Sequence, residues 1–138
     1  QYLTQEGTQG ICPDGWHIPT DDEWKILEGT VDSQYPVGDP EWDASELRGF
    51  DAGINLKAII GWDDNGNGTD LFGFSGLPGG HRGYSGDFSY LGEWADFWSS
   101  TESNIDEAWL RRLTYFDSGV RRFNYHKANG RSVRCVRD

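Results

Sequence analysis

The last stretch of the chain, residues 97–138, constrains the fold most. It reads F-W-S-S-T-E-S, then A-W-L-R-R-L-T-Y-F, D-S-G, V-R-R-F-N-Y-H, K-A-N-G and R-S-V-R-C-V-R-D. Strand-forming runs broken by Asp117-Ser118-Gly119 and by Ala128-Asn129-Gly130 are the pattern of strands joined by tight turns, and Asn-Gly is a strong hairpin signal. Strands are expected over 108–116, 120–126 and 131–136, each pairing back on the last. Side chains alternate across a strand, so Trp109, Arg111, Leu113 and Tyr115 share one face. Leu110, Arg112, Thr114 and Phe116 take the other, and in the middle strand Arg121, Phe123 and Tyr125 fall together. Neither face is cleanly apolar, so at least one is expected to meet solvent or a ligand.

Charge is distributed unevenly around this segment. From Ala108 onward there are eight Lys/Arg against two Asp, while the preceding residues hold four Lys/Arg against 21 Asp/Glu. The net charge of -11 argues against general nucleic-acid binding, which needs a basic footprint. No apolar run is long enough to span a membrane, so no direct membrane insertion is expected. A length of 138 residues is that of one domain with a modest core. Nineteen glycines beside seven tryptophans suggest many turns around a core of large rings.

Two cysteines, Cys12 and Cys135, lie near opposite ends of the chain. They read either as a disulfide tying the N-terminal region to the last strand or as two buried thiols. A disulfide closing so long a loop stabilises a fold by ~4 kcal/mol on the chain-entropy model, and implies an oxidising compartment. Two cysteines so far apart do not make a zinc framework.

Thr20-Asp21-Asp22-Glu23 is a capping box, with acidic residues suited to the positive end of a helix. Trp24 and Leu27 follow on one helical face, and Gly29 offers a stop, so a helix is expected over 21–28. A second short helix is expected over 43–48 and a short strand over 55–62. Residues 63–86 are dominated by glycine and read as a long ordered loop with Leu71, Phe72, Phe74, Leu77 and Tyr84 as apolar anchors. Loops this long within a domain are usually functional or tied by metal. Asp63-x-Asn65-x-Asn67-Gly68 places oxygen ligands at alternate positions, as a calcium loop begins, and Asp70 adds a carboxylate. The twelfth position is Phe74, which excludes an EF-hand. The other reading is a turn whose Asx side chains cap their own backbone.

Catalytic signals are weak. Glu102 and Asp106 are the one candidate acid pair, but Glu102 reads better as a buried or capping carboxylate after Ser99-Ser100-Thr101, satisfied by backbone N–H groups. His17, His81 and His126 lack metal-ligand spacing, and no nucleophile elbow is present. No enzyme activity is expected. The arginines of the last strands are either an anion-binding face or partners of the acidic remainder; Arg112 and Arg121, beside Phe116 and Phe123, are the better contact candidates, since arginine and aromatic rings dominate interface energy.

Five ordered motifs carry a resemblance. These are Cys12-Pro13-x-Gly15-Trp16-His17-Ile18-Pro19-Thr20-x-x-Glu23-Trp24, Gly73-Phe74-Ser75-x-Leu77-Pro78-Gly79-Gly80-x-Arg82, Trp98-Ser99-Ser100-Thr101-Glu102, Ala108-Trp109, and Asn129-Gly130-x-Ser132-Val133-Arg134-Cys135-Val136. Together they resemble the Fibrobacter succinogenes major paralogous domain. That family is similar to C-type lectin-like folds, and more distantly to the formylglycine-generating enzyme fold and to variable proteins diversified by retroelements. The resemblance implies an α+β fold with two short helices, a twisted antiparallel sheet and long ordered loops. It also implies adjacent termini joined by Cys12 and Cys135, with Trp16, Trp24, Trp98 and Trp109 packed together. Trp42 and Trp62 are left as loop residues, with a carbohydrate platform as one reading. The calcium-dependent sugar triplets of lectins are absent. The domain is expected to be secreted from, or displayed on, a bacterial cell as a module of a larger surface protein, binding a protein or carbohydrate. The positions between the fixed motifs are the expected contacts: Leu110, Arg112, Thr114, Phe116, Asp117, Arg121, Phe123, Tyr125 and His126. The alternatives are a structural module of a surface appendage and, more weakly, an oxidase of the formylglycine-generating type.

Overall fold

A computed structural model describes residues 5–138. The fold is α+β, with two helices and antiparallel sheets. Strand β1 (Trp16–His17) leads into helix α1 (Asp21–Val31), followed by a single 3-10 turn, strand β2 (Glu46–Arg48) and helix α2 (Ala52–Leu56). After a long loop come β3 (His81–Arg82), β4 (Phe88–Ser89), β5 (Trp94–Glu102), β6 (Glu107–Thr114), β7 (Val120–His126) and β8 (Val136–Arg137).

The capping box forms as its residues predict. Thr20 Oγ1 accepts from the Glu23 amide at 3.1 Å, and Glu23 Oε2 accepts from the Thr20 amide at 2.8 Å. The helix does not stop at Gly29 but runs on to Val31. Gly29 is a packing residue: a Cβ there would sit 2.6 Å from the Val37 backbone, so only glycine lets the next loop lie this close. The helix ends at Asp32. One oxygen of its carboxylate accepts from the amides of Gln34 and Tyr35, and the other from those of Phe50, Asp51 and Ala52. Those five donors hold its pKa below the ordinary carboxylate value despite partial burial. One side chain thus ties the end of α1 to the start of α2.

Two local expectations are corrected. The segment expected to be helical over 43–48 is instead the 3-10 turn Pro40–Asp43 followed by β2, which pairs antiparallel with β7. The strand expected over 55–62 is instead the last two residues of α2, Asn55 and Leu56, then a single bridge from Lys57 to Gly76 and irregular loop. Tertiary contact overrides propensity in both: Gly53 places α2 directly on the Gly119 carbonyl, where a Cβ would approach within 1.9 Å.

The main sheet runs in the order β2-β7-β6-β5. The turn at Asp117-Ser118-Gly119 joins β6 to β7 as expected. The Asn129-Gly130 turn does not make a second hairpin, because β2 already occupies the other edge of β7. The chain crosses back instead. Ser132 bridges Phe97 in parallel on the outer edge of β5, and β8 pairs with β1. Cys12 and Cys135 form a disulfide beside that pair.

Alternation along the strands makes two faces. Toward α1 point Ala95, Phe97, Leu113 and Val120, which pack with Trp24, Trp42, Trp62, Ala52 and Leu56 in the main core. The other face carries a small cluster of Trp98, Ala108, Leu110 and Phe123. Trp42 and Trp62 are buried, each indole N–H donating to a backbone carbonyl at 3.1 Å, so neither is a carbohydrate platform. Trp16, expected in the core, is exposed, and Trp109 is half-buried. The glycine-rich loop also differs from expectation. Of the expected anchors only Phe74 packs inward, against Trp24 and Phe97; Leu71, Phe72, Leu77 and Tyr84 are exposed, and buried Pro78 and the neighbouring Trp62 and Lys57 hold the loop with it. Buried Lys57 donates to the carbonyls of Thr114 at 2.9 Å and Asp117 at 3.1 Å, and burial lowers its pKa.

Candidate functional site

Each central strand carries an Arg-Arg dipeptide, and register sets them against each other. Arg111 faces Arg122, and Arg112 faces Arg121. Alternation sends the first pair under α1 and the second to the opposite face.

Under α1 the guanidinium groups meet a buried acidic pair. Arg111 reaches Glu28 Oε1 and Asp21 Oδ1, both at 2.7 Å, and Arg122 grips Asp21 at 3.0 and 2.8 Å. Arg48 from β2 completes the group, 2.9 Å from Glu28. Burial raises the Asp21 pKa, but the hydrogen bond from Arg122 and the charge of Arg111 outweigh it and hold the carboxyl at about 2. Burial brings Arg48 down to about 10, still charged at neutral pH. This network is sealed from solvent, so Arg111 and Arg122 belong to the scaffold and not to an anion-binding face.

The opposite face is built differently. Tyr90 stacks on Trp94 with ring centroids 3.4 Å apart and planes 6° from parallel. The Arg112 guanidinium lies beyond Trp94, 3.6 Å from its ring, and 4.8 Å from Phe123 on the next strand. Phe123 meets Tyr125 edge-on at 6.4 Å. A ladder of ring, ring, guanidinium, ring and ring therefore crosses the sheet. Such contacts between cation and ring hold arginine in place while leaving ring area for a ligand. At its margin Arg121 lies 5.8 Å from the Phe116 ring and pairs with Asp117 at 2.6 Å.

Of the expected contacts, Phe116 (61% exposed), Tyr125 (44%) and His126 are open to solvent, and Arg112, Arg121 and Phe123 are partly so. Three are not available. Leu110 is 0% exposed, closed in the cluster with Trp98. Thr114 and Asp117 are buried and bond each other across the turn, Thr114 Oγ1 donating to Asp117 Oδ2 at 2.9 Å and accepting from the Asp117 amide at 3.0 Å. They shape the β6–β7 turn. Arg112, expected to be a free contact, is held by Asp96 at 2.6 and 2.8 Å, so it offers its edge and not its charge. His126 Nδ1 accepts from the Ala128 amide at 3.2 Å, which fixes the next turn.

Sequence reasoning missed Tyr84, Tyr90, Trp94 and Asp96. Trp94, Asp96 and Trp98 stand at alternate positions in one strand, a signal available before the fold was known. A cleft of about 450 Å³ adjoins the ladder, lined by Tyr84, Glu107, Tyr125, His126, Ala128 and Asn129.

The calcium reading fares differently. Asp70 accepts from both the amide and the hydroxyl of Ser75 at 2.6 Å, and Asn67 Oδ1 accepts from the Trp62 amide at 3.0 Å. These two of the four expected ligands, Asp63, Asn65, Asn67 and Asp70, cap turns in their own loop. Among the described residues no group of three His, Cys, Asp or Glu side chains is placed to hold a metal ion. Glu102 is not satisfied by backbone amides as expected; it is exposed and pairs with Lys127, while Asp106 is exposed. His17 is clamped between Asp138, 2.6 Å from Nδ1, and Glu23, 2.9 Å from Nε2.

Over residues 1–137 the chain matches the model of the family described as the Fibrobacter succinogenes major domain, and it belongs to that family. No curated protein and no solved structure matches it.

Proposed function

We propose that this member of the family is a non-catalytic recognition module that binds a protein or glycan through the open face of its main sheet. The observation that carries the reading is the ladder of Tyr90, Trp94, Arg112, Phe123 and Tyr125, flanked by exposed Phe116. Large rings whose positions are fixed by stacking lose little freedom on binding, and they supply much of the energy of recognition surfaces. The Cys12–Cys135 disulfide supports a secreted or surface location, since such bonds persist in oxidising compartments. We read the layout as C-type lectin-like and the domain as one module of a larger bacterial surface protein. Chemistry of the formylglycine-generating type draws no support here, because both cysteines are used in that one disulfide.

The test is binding to glycan and protein arrays by the oxidised domain and by Phe116→Ala, Phe123→Ala and Tyr125→Ala. The ligand found for the parent should be lost in at least one variant; binding unchanged in all three sinks the reading. A structural role in a surface appendage is the second reading. Exposed Leu77 and Leu91 line a shallow hollow beside Gly61, next to exposed Ile59 and Ile60, an apolar area suited to packing against a neighbouring domain.

A further inference from the structure

Beside the ladder lies a second cleft, of about 290 Å³, between the β3–β4 hairpin and the turn 127–131. Ile18, Trp98 and Val133 form apolar wall, and Arg82, Lys127 and Arg131 bring cations. Lys127 is neutralised by Glu102. The other two are not matched in this way.

Arg131 is the informative one. Its side chain is 1% exposed, and the carboxylate near it, Asp96, is already taken by two hydrogen bonds from Arg112. Arg131 Nη1 lies 2.9 Å from Asp96 Oδ2 but off the hydrogen-bonding direction, and Nη1 and Nε are both shut from solvent without a partner. The short distance marks charge attraction, and the poor alignment means that the N–H groups remain unsatisfied. One carboxylate against two guanidinium groups leaves a surplus positive charge inside the domain. His81, 3.6 Å from Asp96, brings no compensating negative charge; its Nδ1 has no hydrogen-bond partner, and burial first, then the cation at Arg131, lowers its pKa. Buried N–H groups without partners are rare in native proteins and point to a missing acceptor. Arg82, at the mouth, takes no ion pair or hydrogen bond through its side chain among the described residues and rests on the Phe88 ring. Its backbone is fixed by a two-way bridge to Gly130, at 2.9 and 2.8 Å, so its side chain is free to serve a ligand without moving the fold.

We propose, resting on the sheet-face reading, that this cleft receives the carboxylate of an acidic sugar residue at the end of a glycan. Arg82 at the mouth supplies the carboxylate's hydrogen-bond donors, Arg131 behind it supplies uncompensated positive charge, and the apolar wall suits a pyranose ring. Arg131 also lies 4.9 Å from the Tyr125 ring, so the cleft opens onto the ladder, where the next sugar would stack. A single acidic end group is favoured over a polyanion because the domain's net charge of -11 repels an extended run of negative charge.

Titration of the oxidised domain with glucuronate, glucuronate methyl ester, glucose and an acidic tripeptide, followed by amide chemical shifts, tests this. Glucuronate should bind at least about ten-fold tighter than the other three, as a charge-assisted pair of hydrogen bonds warrants. Arg82→Gln should abolish that preference, and Arg134→Gln, at an arginine outside the cleft, should leave it intact. Equal binding of ester or glucose, equal binding of the tripeptide, or an unchanged preference in Arg82→Gln overturns the proposal. Loss of the glucuronate preference with array binding still sensitive to Tyr125→Ala defeats the subsite alone; array binding insensitive to the ring substitutions defeats the face.

Discussion

Arg111 faces Arg122 across β6 and β7, and one residue along Arg112 faces Arg121, yet the two pairs end in different surroundings. The first pair is sealed beneath α1 and shares Asp21 and Glu28 with Arg48. The second is half-open, each arginine holding one carboxylate and lying against aromatic rings. Residue type is identical and sequence position differs by one. Strand parity, and what covers each face, therefore decide whether an arginine is scaffold or surface. A sealed ion pair loses its attraction to water and depends on complete pairing, whereas a half-open one tolerates loss of a partner.

The comparison can be broken at several points. Arg111→Met should have the largest effect, lowering stability by about 3–5 kcal/mol in a denaturant titration, because it strands buried carboxylates. If it costs no more than Arg112→Leu, the distinction between the faces fails. Reduction of the Cys12–Cys135 disulfide, which spans 123 residues of sequence, should cost ~4 kcal/mol, visible as a shift of the unfolding midpoint with reductant. Arg112→Leu should cost about 1.5–3 kcal/mol, the range of hydrogen bonds to charged groups, since Arg131 remains beside Asp96.

Acidity probes the sealed pair directly. The Asp21 carboxyl is held at about 2 against an ordinary 3.8, so its contribution is full above pH 3.8 and is lost as pH falls through about 2. Asp21→Asn should flatten that part of the stability profile. His17 acts in the opposite sense. The hydrogen bonds of Asp138 and Glu23 raise its pKa above 6.5, so its contribution is present below pH 6.5 and fades as pH rises through the raised value. The difference in melting temperature between the parent and His17→Gln should therefore shrink from pH 6 to pH 9. Smallest of all should be the effect of Phe116→Ala and Tyr125→Ala on stability, within about 0.5 kcal/mol, even as they remove binding. A large loss would make those rings part of the core.

Much of this was legible in the chain. The α1 cap is written in Thr20 and Glu23, the β6–β7 turn in Asp117-Ser118-Gly119, and the face of Arg112, Phe123 and Tyr125 in simple alternation. What escaped was set by distant contacts. Gly29 looks like a helix stop and is a close-packing position against Val37. Asn129-Gly130 looks like a hairpin, but the edge it would pair with belongs to β2. Leu110 and Thr114 share the parity of the open face, yet Leu110 lies in the Trp98 cluster and Thr114 is closed by its bond to Asp117. Alternation assigns a direction, not an exposure. Asp96 gave no sign that two arginines from separate segments would converge on it.

The link between Cys12 and Cys135 also has a mechanical meaning. Tension applied to the chain before Cys12 and after Cys135 would travel through one covalent bond and bypass the residues between them. Under load the oxidised domain should behave as an inextensible bead, its ligand face undistorted. Reduction should convert it into an extensible tether, a difference that single-molecule pulling would register as a change in contour length.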